Sequence, residues 1–68
     1  MTAEWVMVYS SNRSYEVEMV KAFLTDNEIE CISMNKQDSA YLFGEIEIYV
    51  STANALEARQ LIIQFKGE

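Results

Sequence analysis

Sixty-eight residues, half of them hydrophobic, with no Pro and only two Gly, predict one domain over 1–68, made mostly of regular structure, and exclude a disordered chain. Eleven acidic residues against five basic ones give a net charge of −6, and the cations Arg13, Lys21, Lys36, Arg59 and Lys66 are scattered. That pattern argues against nucleic-acid binding, which needs grouped cations on phosphates, and against an anionic membrane surface.

Residues 4–9, EWVMVY, read as a first strand. Val6 and Val8 point one way, while Trp5, Met7 and Tyr9 point the other. Ser10, Ser11 and Asn12 follow as a turn, with Ser11 or Asn12 as the N-cap of a helix over about 13–26. Val17, Val20, Phe23 and Leu24 recur at three- and four-residue spacing and form its core stripe, with Met19 at the margin. Asp26, Asn27 and Glu28 end the helix, and Asn27 is the expected left-handed cap. Ile29 to Met34 reads as a second strand, Ile32 and Met34 on one face, Ile29 and Cys31 on the other. After a connection at 35–44 comes the clearest signal in the chain, EIEIYV at 45–50. Ile46, Ile48 and Val50 share one face, and Glu45, Glu47 and Tyr49 the other, as in a strand buried on one side only. Ser51 or Thr52 then caps a second helix over about 53–65. Its core face holds Ala55, Ala58, Ile62 and Phe65, with Leu61 alongside, and Lys66 suits the negative end of its dipole.

The order β-α-β-β-α fixes much of the topology. A helical crossover makes strands one and two parallel. The connection before strand three is too short for another helix, so strands two and three pair antiparallel. The simplest arrangement is an α+β sandwich of the ferredoxin-like kind, with strand order 1-3-2 and both helices on one face.

The strand WVMVYSSN, the helix ending LTDNEIEC, the segment NKQDSAYLFGEIEIYV and a closing helix with Ala58, Leu61 and Ile62 together resemble a bacterial family. It is a domain-of-unknown-function family labelled "putative prokaryotic signal-transducing protein". The resemblance covers nearly the whole chain, and NKQDSAYLFGEIEIYV is its most specific part. It implies a ferredoxin-like fold related to the nitrogen-regulatory PII proteins, which are trimeric signal transducers, and it brings no catalytic residue. The family usually has Gly after the first helix, where this chain has Glu28. Nothing here matches the long nucleotide-binding loop or the basic phosphate contacts of the PII proteins, so nucleotide binding is not implied.

Two groups of side chains are candidate partner-binding residues. Trp5, Met7 and Tyr9 form an aromatic stripe suited to anchoring an interface, unless a loop or tail covers them. Tyr41, Leu42 and Phe43 sit in the long connection and either present aromatics to a partner or plug one end of the core. Beside them, Asn35, Lys36, Gln37, Asp38 and Ser39 offer polar groups to a small ligand, although Asn, Asp and Ser also bond their own backbone in turns. Glu45 and Glu47 lie about 7 Å apart on one strand face, a solvated pair with no third metal ligand in view.

The chain has no His, which removes Ser–His and Cys–His nucleophiles and imidazole metal sites. The single Cys31 reads as an inert thiol. No cofactor, metal or enzymatic activity is expected. The start of the chain has no basic segment followed by a long apolar one, and no run approaches the ~20 apolar residues of a membrane span; a cytoplasmic location is expected. The expected function is a non-catalytic binding or regulatory module acting through self-association, a dimer first, and through a recognition loop at 35–44. The alternative is a metabolite sensor whose ligand lies between that connection and the first helix's N-terminus, near Ser11 and Asn12.

Overall fold

The computed structural model describes residues 4–36 and 44–66. The described elements are β1 (Trp5–Ser11), α1 (Ser14–Asp26), β2 (Cys31–Asn35), β3 (Ile46–Ser51), a 3-10 turn (Thr52–Asn54) and α2 (Ala55–Phe65). The sheet order is β1-β3-β2, with both outer strands antiparallel to β3. The α+β architecture and strand order expected from the sequence are therefore present.

The alternation in β3 positions the core. Ile46, Ile48 and Val50 are buried under the helices, and they meet Val17, Val20 and Leu24 of α1, Ala58 and Ile62 of α2, and Ile29. Each large aliphatic side chain removed from water in this way contributes about 1.5–3 kcal/mol. Phe23 and Phe65 join the two helices at the margin of this cluster, their ring centroids 5.2 Å apart and tilted by 42°.

Three local features depart from the expectations, and each has a physical cause. First, β1 runs on through Ser10 and Ser11, because β3 is long enough to pair with both, opposite Glu47 and Ile46. The ladder therefore claims Ser11, one of the two residues expected to cap α1, while Asn12, the other, precedes the residue that takes the cap position. Arg13 takes the cap position, with no side chain capping the first turn.

Second, the register of β1 slips between Met7 and Tyr9: Met7 faces Tyr49, but Tyr9 faces Ile48. Val8 is the extra residue of a β-bulge, which resets the alternation downstream. Tyr9 is therefore on the helix-covered side, not beside Trp5 and Met7.

Third, the left-handed residue after α1 is Glu28, at φ 64°, and not Asn27, at φ −96°. Ile29 N–H donates to Leu24 O and Glu28 N–H to Thr25 O, both at 2.9 Å. This is the Schellman arrangement, in which the residue one beyond the cap is left-handed. Ile29 is thereby withdrawn from the strand and buried beside Leu24, the hydrophobic contact that completes the motif. Asn27 makes a different contribution: its side-chain amide donates to Phe23 O at 2.8 Å.

Candidate functional site

With both helices on one side, the other side of the sheet carries its own set of residues, fixed by register. Met7 faces Tyr49 and Tyr49 faces Ile32, a row across all three strands. The next row is Ser10, Glu47 and Met34, and Trp5 stands opposite Ser51 at the far end. Trp5 (39%), Met7 (44%), Ile32 (42%) and Met34 (47%) all keep a large part of their surface in water. Directly opposed side chains on one sheet face lie about 4.5–5.5 Å apart at Cβ, so the row Met7–Tyr49–Ile32 is continuous. The exposed apolar side chains Trp5, Met7, Ile32 and Met34 therefore share the side of the sheet that the helices leave uncovered.

One charged contact crosses this face. Tyr49 Oη donates to Glu47 Oε1 at 2.7 Å, and Lys36 Nζ lies 3.5 Å from the same oxygen. The Tyr49 hydroxyl first, and Lys36 second, hold the Glu47 carboxyl below the usual carboxylate range. In return, the bond to Glu47 raises the Tyr49 phenol. Glu47 is thus engaged within the chain, while Glu45 is exposed.

Tyr9 anchors a second polar group on the helix-covered side. Its hydroxyl donates to Glu16 Oε1 at 3.2 Å and accepts from Lys66 Nζ at 3.3 Å, and Lys66 also sits 5.3 Å from the ring centroid. Ser11 Oγ donates to the same Glu16 oxygen at 2.9 Å and accepts from Arg13 N–H at 3.1 Å. Arg13 Nη1 completes the cluster 3.8 Å from Glu16 Oε2. The Ser11 hydroxyl is the main influence holding Glu16 below the usual carboxylate range, helped by Tyr9, Lys66 and Arg13 against partial desolvation. The start of α1 therefore already holds a carboxylate. A ligand there would meet Glu16 first, and an anionic one would be repelled.

Of the residues singled out from sequence, Trp5 and Met7 lie together on the uncovered face, and Tyr9 does not. Asn35 and Lys36 are exposed at the end of β2. Gln37, Asp38, Ser39, Tyr41, Leu42 and Phe43 lie outside the described residues. Sequence reasoning missed Ile32, Met34 and Tyr49 as members of the patch. The signal was present: Ile32 and Met34 alternate against Cys31, which packs on the core side, and this puts them on the same side as Glu47 and Tyr49.

Cys31 is half-buried, its Sγ 4.0 Å from Lys21 O, and burial pushes the thiol up. It borders an open depression of about 340 Å³ lined by Thr25, Glu28, Ile29 and Glu30. Among the described residues, no group of three or more His, Cys, Asp or Glu side chains is arranged to hold a metal ion, and no helix is long and apolar enough to cross a membrane.

Residues 5–66 match the family described as "putative prokaryotic signal transducing protein", and the chain belongs to it. No curated protein and no solved structure gives a significant match.

Proposed function

We propose that this member of the signal-transducing family is a non-catalytic regulatory module that works by protein binding, associating with itself as a dimer and offering the connection at 35–44 to a protein partner. The observation that carries this reading is the apolar row Met7–Tyr49–Ile32, flanked by Trp5 and Met34, on the side of the sheet away from both helices. A domain of this length buries only about 60% of its unfolded surface by itself. Association is the direct way to remove more apolar area from water. Trp, Tyr and Met are also the residue types that dominate interface cores.

The non-catalytic part of this reading rests on composition and contacts: there is no His, and the carboxylates of Glu16 and Glu47 are each engaged by partners within the chain. The test is light scattering over a concentration series, together with emission of the single Trp5. The expected result is a mass approaching twice the 7.8 kDa of one chain, with Ile32→Glu and Met34→Glu, in the part of the patch on β2, shifting the equilibrium toward monomer. A wild type that stays monomeric into the millimolar range, with constant Trp5 emission, would overturn the self-association reading. Stabilisation by a metabolite in a thermal-shift screen, without a change of mass, would replace it with the sensor reading.

A further inference from the structure

The two edges of the sheet are not alike. β1 carries the bulge at Val8, one of the devices that keep an edge from pairing with another chain. β2 reads Cys-Ile-Ser-Met-Asn, with no charge, no Pro and no register slip in its pairing. Lys36 N–H donates to Glu45 O at 3.1 Å, so Lys36 and Glu45 form a hydrogen-bonded pair of the β2–β3 ladder. In an antiparallel ladder such pairs alternate. Met34 with Glu47 and Ile32 with Tyr49 are therefore also bonded pairs. The N–H and C=O of Ser33, the central residue, point the opposite way, off the edge of the sheet.

We propose that two copies of the chain join through this edge, β2 against β2, antiparallel about a twofold axis at Ser33. This rests on the self-association reading above and adds where the copies meet. In this register Ser33 exchanges both of its backbone hydrogen bonds with Ser33 of the copy. Ile32 stands opposite Met34 of the copy and Met34 opposite its Ile32, all on the uncovered face. Glu30 and Lys36, the exposed residues flanking the strand, fall opposite one another at both ends. These even-numbered positions form the closely spaced, non-hydrogen-bonded pairs, where cross-strand side chains interact most strongly.

The complementarity belongs to this register. Centring the axis on Ile32 sets Glu30 against Met34, and centring it on Met34 sets Lys36 against Ile32. Only the axis at Ser33 pairs charge with charge and apolar with apolar. The product is a six-stranded sheet in which the rows ending at Ile32 and Met34 run on into those of the copy. The apolar patch becomes one continuous surface across the axis.

The test is sedimentation equilibrium on the full chain with four samples besides the wild type. Ser33→Pro removes an N–H that the β2–β3 ladder does not use, so it blocks the edge while leaving the sheet paired; it is expected to be monomeric with an unchanged circular dichroism spectrum. Glu30→Lys and Lys36→Glu each place like charges opposite one another at both ends, and each is expected to weaken the dimer by about tenfold. An equimolar mixture of those two variants restores opposite charges at both ends of the heterodimer, and the mass is expected to recover. That recovery does not depend on Ser33→Pro folding, nor on the loss of the ion pair between Lys36 and Glu47. A wild-type dimer whose dissociation constant is unmoved in the single charge variants would overturn the edge proposal and leave self-association standing. A wild type monomeric at all concentrations would overturn both.

Discussion

Glu28 is the one non-Gly residue with positive φ among the described residues, at 64°, and Glu28→Gly isolates what that conformation costs. An L-residue with a Cβ in the left-handed region is disfavoured by about 1–2 kcal/mol, because Cβ crowds the following carbonyl. Gly removes the crowding but adds unfolded-chain entropy of about 0.5–1 kcal/mol. The Schellman bonds from Ile29 and Glu28 to Leu24 and Thr25 are backbone bonds and survive the change. The net expectation is a stabilisation of about 0.5–1 kcal/mol, or a rise in melting temperature of roughly 3–6 °C for a domain of this size. Glu28 is also an anion at the negative end of the α1 dipole, so loss of its charge would stabilise a little by itself. Glu28→Gln separates the two effects, since it removes the charge and keeps the Cβ. Urea unfolding should give a higher midpoint for Glu28→Gly at unchanged slope, with Glu28→Gln recovering less than half of the gain. Equal gains for the two variants, or none for Gly, would refute the conformational argument.

Three further outcomes follow from the geometry. Glu16 and Glu47 both have carboxyls held below the usual range, so as pH falls the unfolded state takes up protons first. Their contribution to stability is fully present above about pH 4.5 and is lost as pH drops through the lower, folded values; urea midpoints between pH 7 and 3 should show this acid limb, flatter in Glu16→Gln. Tyr9→Phe keeps the ring under Lys66 but removes the hydroxyl that links Lys66 to Glu16, and should cost about 0.5–1.5 kcal/mol by urea unfolding. Ile48→Ala empties a fully buried site at the centre of the sheet. At about 2–5 kcal/mol against a total of roughly 3–10 kcal/mol for a chain this short, it should leave a substantial unfolded fraction by circular dichroism at 25 °C.

The parts of the fold that were legible in the sequence are those where one physical requirement acts alone. The period-two pattern of Ile46, Ile48 and Val50 can be satisfied only by a strand with one covered face, and the helix stripes through Val17, Val20 and Leu24 and through Ala58 and Ile62 have no rival period. Strand order then followed from connection lengths. The errors arose where two local solutions compete. Ser11 can cap a helix or extend a strand, and the choice depends on the length of β3, which is not a property of the residues around Ser11. Asn27 has the better intrinsic tolerance for left-handed φ, yet the position is set by where α1 stops and by burial of Ile29 beside Leu24, so Glu28 takes it. The bulge at Val8 leaves no trace in composition, and it alone moved Tyr9 from the proposed interface to the helix side. The patch residues Ile32, Met34 and Tyr49 were visible as alternation but had no meaning until the pairing register placed them in one row.

The bulge also makes the two edges of the sheet unlike. By turning Tyr9 inward it builds the link from Ser11, through Glu16 and Tyr9, to Lys66 at the end of α2, and so ties β1 to both helices. By interrupting β1 it also blunts that edge as a pairing template. β2 has neither attribute: its ladder to β3 is regular, and Ile32 and Met34 stand exposed on its outer face. In the proposed dimer it is accordingly the regular edge of β2, and not the bulged one, through which this short chain would gain the apolar contacts and backbone hydrogen bonds that its own length does not supply.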